Sequence, residues 1–407
     1  MNHRPLLRSI VFLFAAATGA AFFGMNYLPE PARMNLLARA NALPMSHRYY
    51  DLKIGLAGLE CDRRGLDVYV SNPCVTEQLG TQFTFNYPRT FLWLGRLFPL
   101  SVKDGEWLGP ILDVAFLLAA CTLFRGERFA QALYFCALLA SPPVILSLER
   151  ANVDIAFFCL ILLAVYYVGR RSETGGWAAT FCLGMLKIYP IAAIAGLIRN
   201  TKRSRMLFWF TLAAEGIFAA LTLNNLRLVK SLTPQEDFDS FGYPVLPMIL
   251  SRSFQSFFWM QLAAPALFAA CALVAYSGFR NRRFWLTIAD AGDARYRPLF
   301  LAGGAIYAAA FVMGANYDYR LIFLLFTLPF VFSLRASAQP ESRAAAFLLA
   351  AIPAAYWLTA FPADLAAKLA HAVVTWALFL FFAPITVAVI AESLLPAAEG
   401  PPSAVAA

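Results

Sequence analysis

Long apolar runs alternate with short basic clusters along almost the whole chain, and that alternation restricts it to a bundle of helices in a membrane. Of its 407 residues, 60% are hydrophobic and 14% are charged, where soluble domains carry about 25% charge. Inside a bilayer every backbone N–H and C=O must be satisfied within its own segment, so apolar runs of about 20 residues fold as spanning helices. The fold class is all-α integral membrane. The net charge of +9 comes from Arg and Lys between the runs, which is the pattern of cytoplasmic loops and not of a continuous nucleic-acid surface. No nucleic-acid partner is expected, and membrane lipids are the surroundings.

Applied run by run, the sign rule orients the chain. Arg4 and Arg8 precede a first run, residues 1–28, read as an uncleaved anchor leading outward. Residues 107–226 form a transmembrane module and residues 227–395 a second one. Within the first module, the segment 177–198 has Arg170 and Arg171 before it and Arg199, Lys202, Arg203 and Arg205 after it. A single crossing would export the strongest basic cluster, so a re-entrant hairpin turning near Lys187 is expected. The whole adds up to about ten full spans plus that hairpin. The Pro- and Ala-rich tail, 396–407, is expected to be disordered.

Residues 29–106 form one long polar loop between the first two spans, on the outer side. The spacing predicts interfacial helices over Arg33–Leu43 and Arg48–Leu59, and another near Phe91–Leu100. Of the seven cysteines, Cys61 and Cys74 lie in this loop, where an oxidising compartment favours a disulfide over two free thiols. The other five fall in apolar runs and read as small hydrophobes. Only three histidines occur, far apart, and no HExxH, CxxC or Walker pattern is present. No metal or cofactor is expected.

Short motifs in the N-terminal half carry a resemblance. Tyr49-Tyr50-Asp51-Leu52-Lys53 is followed by Gly65-Leu66-Asp67-Val68-Tyr69 and then by Tyr87-Pro88. Glu149-Arg150-Ala151-Asn152 opens a later span, and Lys187-Ile188-Tyr189-Pro190 follows. This series resembles the polyprenyl-phosphate-dependent glycosyltransferases of the GT-C superfamily, most nearly glycosyltransferase family 87, the integral-membrane mannosyltransferase type. The chain differs from that pattern in its Cys-bounded insert and in Glu149-Arg150. The resemblance implies a GT-C-like bundle in a bacterial inner membrane, with its active site facing the periplasm. It also implies transfer of a mannose-like hexose from a polyprenyl-phosphate donor to a glycan or lipid acceptor.

That chemistry needs one base and a cationic seat for phosphate. Phosphate leaves as a stable anion, so a single carboxylate taking the acceptor's proton suffices. Asp51 is the candidate base, with His47 one helical turn behind it in support. Asp67, Asn152 and Asp154 are supporting candidates, although Asp67 also suits the opening of a turn toward Tyr69. Arg320 and Arg150, at outer ends of spans, and Arg89, which follows Tyr87-Pro88, are candidates for the donor phosphate because guanidinium binds it in bidentate fashion. Lys187 and Glu215 are both expected near mid-depth and are read as a buried ion pair. A carrier or flippase of lipid-linked sugar, and a surface-glycan polymerase or ligase, remain alternative readings.

Overall fold

The computed structural model describes residues 4–39, 45–237, 239–337, 340–361 and 364–395, and in it the apolar runs are helices joined by short connections. Among these residues, eight helical stretches are long and apolar enough to cross a membrane, so the chain is a multi-pass membrane protein in its helix content. A ninth arises if Phe129–Leu139 and Pro142–Arg150, bent by 47°, count as one. Pro142 and Pro143 supply no N–H to the preceding turn, which accounts for the bend. Eight or nine such stretches stand where the sequence suggests about ten full spans. The run at 299–315 forms only the 17-residue helix Arg297–Met313, which stops at Gly314 (φ 141°). That helix packs against 189–196, 318–327 and Leu365–Leu394 and is buried along most of its length. Being apolar on all sides, it belongs to the protein core.

The outer loop is a small folded module. After α1 (Arg4–Asn26) come α2 (Glu30–Arg39), α3 (Tyr50–Arg63), α4 (Pro73–Leu79) and α5 (Arg89–Leu97). The second interfacial helix thus starts later than its spacing suggests, and the end of the first, 40–43, lies outside the described residues, as does the tail expected to be disordered. Ile54, Leu56, Leu59, Val75 and Phe85 form a core of their own, separate from that of the bundle. The expected disulfide is present: Cys61 on α3 is bonded to Cys74 on α4.

The bundle proper begins with α6 (Gly105–Leu123), α7 (Phe129–Leu139) and α8 (Pro142–Arg150). Then α9 (Val153–Leu162) continues through a π turn, Leu163–Val168, into α10 (Gly169–Arg171). The segment after it folds back on itself: α11 (Glu173–Leu186) breaks at Lys187, whose backbone is extended, and the chain returns as a 3-10 helix, Tyr189–Gly196, packed on α11. Both ends then meet. Arg199 donates to the Gly169 carbonyl (3.0 Å) and Arg203 to Thr174 (2.7 Å). On the entry side the turn between α10 and α11 is tight, since a Cβ at Gly176 would lie 2.8 Å from Gly169 Cα. This is the hairpin that the basic residues on both flanks require. After it come α12 (Lys202–Leu221) and α13 (Leu223–Leu232). A two-residue ribbon, β1 (Ser240–Phe241) with β2 (Asn316–Tyr317), is antiparallel, pairing Ser240 with Tyr317 and Phe241 with Asn316.

Candidate functional site

The start of α3 is fixed from three directions. Tyr49 is left-handed (φ 56°), its N–H donates to the Glu149 carbonyl (3.1 Å), and its hydroxyl accepts from Asn26 (2.9 Å). Its ring lies on α6 where a Cβ at Gly109 would come within 2.5 Å. Arg33, buried, donates to the carbonyls of Met45 (2.8 Å) and Ser46 (2.6 Å) and pairs with Glu149 (3.3 Å). This places Asp51 in the first turn of α3, where the helix dipole favours a carboxylate. It also removes the expected relation to His47. Tyr49 interrupts the helix before Tyr50, so His47 is not one turn behind Asp51 on a shared face.

A second sharp turn faces that point. Ala151 is left-handed (φ 42°) and reverses the chain between α8 and α9. Asn152 caps α9: its side-chain oxygen accepts from the Asp154 N–H (3.0 Å), while its amide nitrogen donates to Asp51 (2.6 Å). Arg150 stands 3.7 Å from the other Asp51 oxygen. Asp154, fully buried, accepts from Lys187, from the Tyr189 hydroxyl (2.7 Å) and from Arg320 Nε (3.1 Å). Arg320 in turn donates to Asn316, which the ribbon with Phe241 holds in place. Asp51, Arg150, Asn152, Asp154, Lys187 and Arg320 thus form one connected polar network.

Two cavities open on this network, and Tyr87 lines both. One, about 230 Å³, is apolar, walled by Leu56, Phe91, Phe98, Leu108 and Phe157, and has Asp51 at its edge. The other, about 310 Å³, is cationic: Lys187 and Arg320 line it from the bundle, Arg227 and Lys230 from α13. Asp51, Lys187 and Arg320 keep 16%, 12% and 15% of their side-chain surface exposed, so each is reachable. Burial, reinforced by the charge of Asp51 and Asp154, holds the Tyr87 phenol well above its usual pKa. Tyr87 is therefore a neutral hydroxyl between a carboxylate and a cluster of cations.

No protein-family model, curated protein or solved structure matches this chain. What the site can do rests on its own geometry.

The remaining candidates fall elsewhere. Lys187 does not pair with Glu215. Leaving the helix at its C-cap turns Lys187 toward the N-terminus of α9 and Asp154. Glu215 instead lies against Gly184, with one carboxyl oxygen buried and unpartnered among the described residues. Arg89 does not join Arg320 and Arg150. Its backbone N–H donates to Asn225 (2.9 Å) and its guanidinium stacks over Tyr69, 5.8 Å from the ring centre. Asp67 accepts from the Tyr69 N–H (3.1 Å) and so serves the turn, while Asp62 is held by Arg96 (2.8 Å). Among the described residues no group of three or more His, Cys, Asp or Glu converges as a metal site. Sequence reasoning gave no role to Tyr87, Tyr189, Asn316, Arg33, Arg227 or Lys230. The Tyr-Pro pairs at 87–88 and 189–190 were the only signal for these tyrosines, in a chain rich in aromatics that holds a third such pair at Tyr243-Pro244.

Proposed function

We propose that this protein is a membrane glycosyltransferase that moves a hexose from a polyprenyl-phosphate donor to an acceptor hydroxyl, with inversion. The observation that carries the reading is the Asp51–Asn152–Asp154 connection, which joins a reachable carboxylate beside an apolar groove to a cationic cavity across Tyr87. In the reaction the acceptor oxygen forms a bond to the anomeric carbon while the bond from that carbon to the phosphate oxygen breaks. Asp51 takes the acceptor's proton, and the electron pair leaves on the prenyl phosphate. Lys187 and Arg320 meet the charge that develops there. Arg150 and Asn152 orient Asp51, and the apolar groove suits a lipid tail. The sequence resemblance favours a mannose-like sugar and a bacterial inner membrane, and the sign rule favours the outer, periplasmic face for the loop that carries Asp51.

Proteoliposomes supplied with polyprenyl-phosphate mannose and membrane glycolipid acceptors test this. New glycosidic product that depends on Asp51 is the expected result. Movement of the lipid-linked sugar across the vesicle without a new glycosidic bond overturns it in favour of a carrier.

A further inference from the structure

At the opposite end of α1 lies a second polar crevice, about 210 Å³. Separate segments converge on it: Arg4 and Arg8 from α1, Arg125 and Arg128 from the turn between α6 and α7, and Arg295 from the turn before Arg297–Met313. Their acidic neighbours in the crevice are Glu127 and Asp293. Arg4 pairs with Glu127, and Arg295 with Asp293 (2.6 Å). Among the described residues no carboxylate pairs with Arg8, Arg125 or Arg128, although they share one concavity. Arg125 donates to the neighbouring Phe124 carbonyl (3.1 Å). The Asp293 N–H is anchored on Ser333 (2.9 Å), which fixes that wall.

Position says what kind of anion suits this crevice. The 23 residues of α1 span about 34 Å at ~1.5 Å per residue, close to the ~30 Å of a bilayer core. Its far end, Asn26, is bonded to Tyr49 beside Asp51. The crevice therefore sits in the leaflet opposite the Asp51 network, on the basic face that the sign rule assigns to the cytoplasm. Pro329, Phe332 and Tyr296 give the same crevice an apolar wall. The sign rule explains why arginines occur at this end. It does not explain why chain segments distant in sequence bring them to one hollow, and basic pockets between helices on this side suit lipid phosphates.

We infer that this crevice binds the phosphate headgroup of an anionic phospholipid. The inference is independent of the glycosyltransferase reading. The full-length protein in neutral detergent is titrated with cardiolipin, phosphatidylcholine or inorganic phosphate, and thermal shift or native mass spectrometry reads the binding. Cardiolipin is expected to bind and stabilise, with phosphatidylcholine and inorganic phosphate far weaker. The combined Arg8→Gln, Arg125→Gln and Arg128→Gln variant is expected to lose about 100-fold in affinity, and the exposed Arg128→Gln alone about five-fold. Arg280→Gln with Arg283→Gln, on the same basic face, is expected to change it less than two-fold. Equal losses in the crevice and control variants would reduce the effect to general surface charge and overturn the site. Inorganic phosphate or phosphatidylcholine matching cardiolipin would overturn the lipid headgroup.

Discussion

Asn152 donates its side-chain amide to Asp51 at 2.6 Å, joining two residues 101 positions apart. The same Asn152 caps α9 in front of Asp154, so one residue ties the outer module to the cationic centre of the bundle. Under the proposed reaction Asp51→Asn keeps this shape and removes the base. Hexose transfer is expected to fall by about 10²–10⁴ with an unchanged melting temperature. Asn152→Ala is expected to reduce transfer less, and the double variant to be no worse than Asp51→Asn alone. Initial rates in proteoliposomes check both.

Asp154 is the only carboxylate bonded to both Lys187 and Arg320 among the described residues. Removing it leaves two largely buried cations facing each other. Asp154→Ala is expected to destabilise by about 3–5 kcal/mol. Glu215→Gln, in contrast, replaces a carboxyl oxygen that lacks a partner among the described residues, and is expected to be neutral or to stabilise by up to about 1 kcal/mol. Thermal unfolding in one detergent compares them.

The phosphate assignment separates Arg320 from Arg89. Arg320 lines the cationic cavity, whereas Arg89 stacks on Tyr69 away from it. Arg320→Ala is expected to raise KM for the lipid-phosphate donor by about 10–100-fold, and Arg89→Ala by less than about two-fold. Donor titrations of the two variants give the answer.

Asp239, in the loop before β1, has its carboxyl pushed up to about 6 by burial, against the pull of Arg150 and Lys368. A raised acid pKa favours the protonated folded state. Its stabilising contribution is therefore complete below the ordinary Asp value of about 4 and disappears as pH rises through about 6. Asn tolerates the left-handed backbone found there (φ 47°). Asp239→Asn is expected to gain melting temperature relative to the parent as pH goes from 4 to 7, a difference that paired melting curves would reveal.

Cys61 and Cys74 close a loop between α3 and α4, with a sequence separation of 13. Replacing both by Ala is expected to lower the stability of the outer module by about 2–3 kcal/mol. Proteolysis of residues 64–73 is the direct measure, with faster cleavage in the variant.

The sequence by itself determined the helical membrane fold and the long polar loop that carries Asp51, and it favoured, without deciding, the pairing of Cys61 with Cys74 and a fold-back around Lys187. These follow from local quantities: apolar run length, the sign of flanking charges, and thiols in one short segment. It marked Asp154 and Arg320 as site candidates and read Lys187 as a structural ion pair with Glu215, whereas Lys187 pairs with Asp154. Depth along a run is legible from sequence, whereas the direction of a side chain at a helix break is not. Tertiary structure decided that Lys187 turns to Asp154, that Tyr49 cuts His47 off from the helix of Asp51, and that Arg89 stays outside. It also decided that Tyr87 lies between the two cavities. The first two depend on a break in the backbone, at Lys187 and Tyr49, and the position of Arg89 depends on Asn225 and Tyr69; contacts from distant segments decide each, and no window of neighbouring residues contains those contacts.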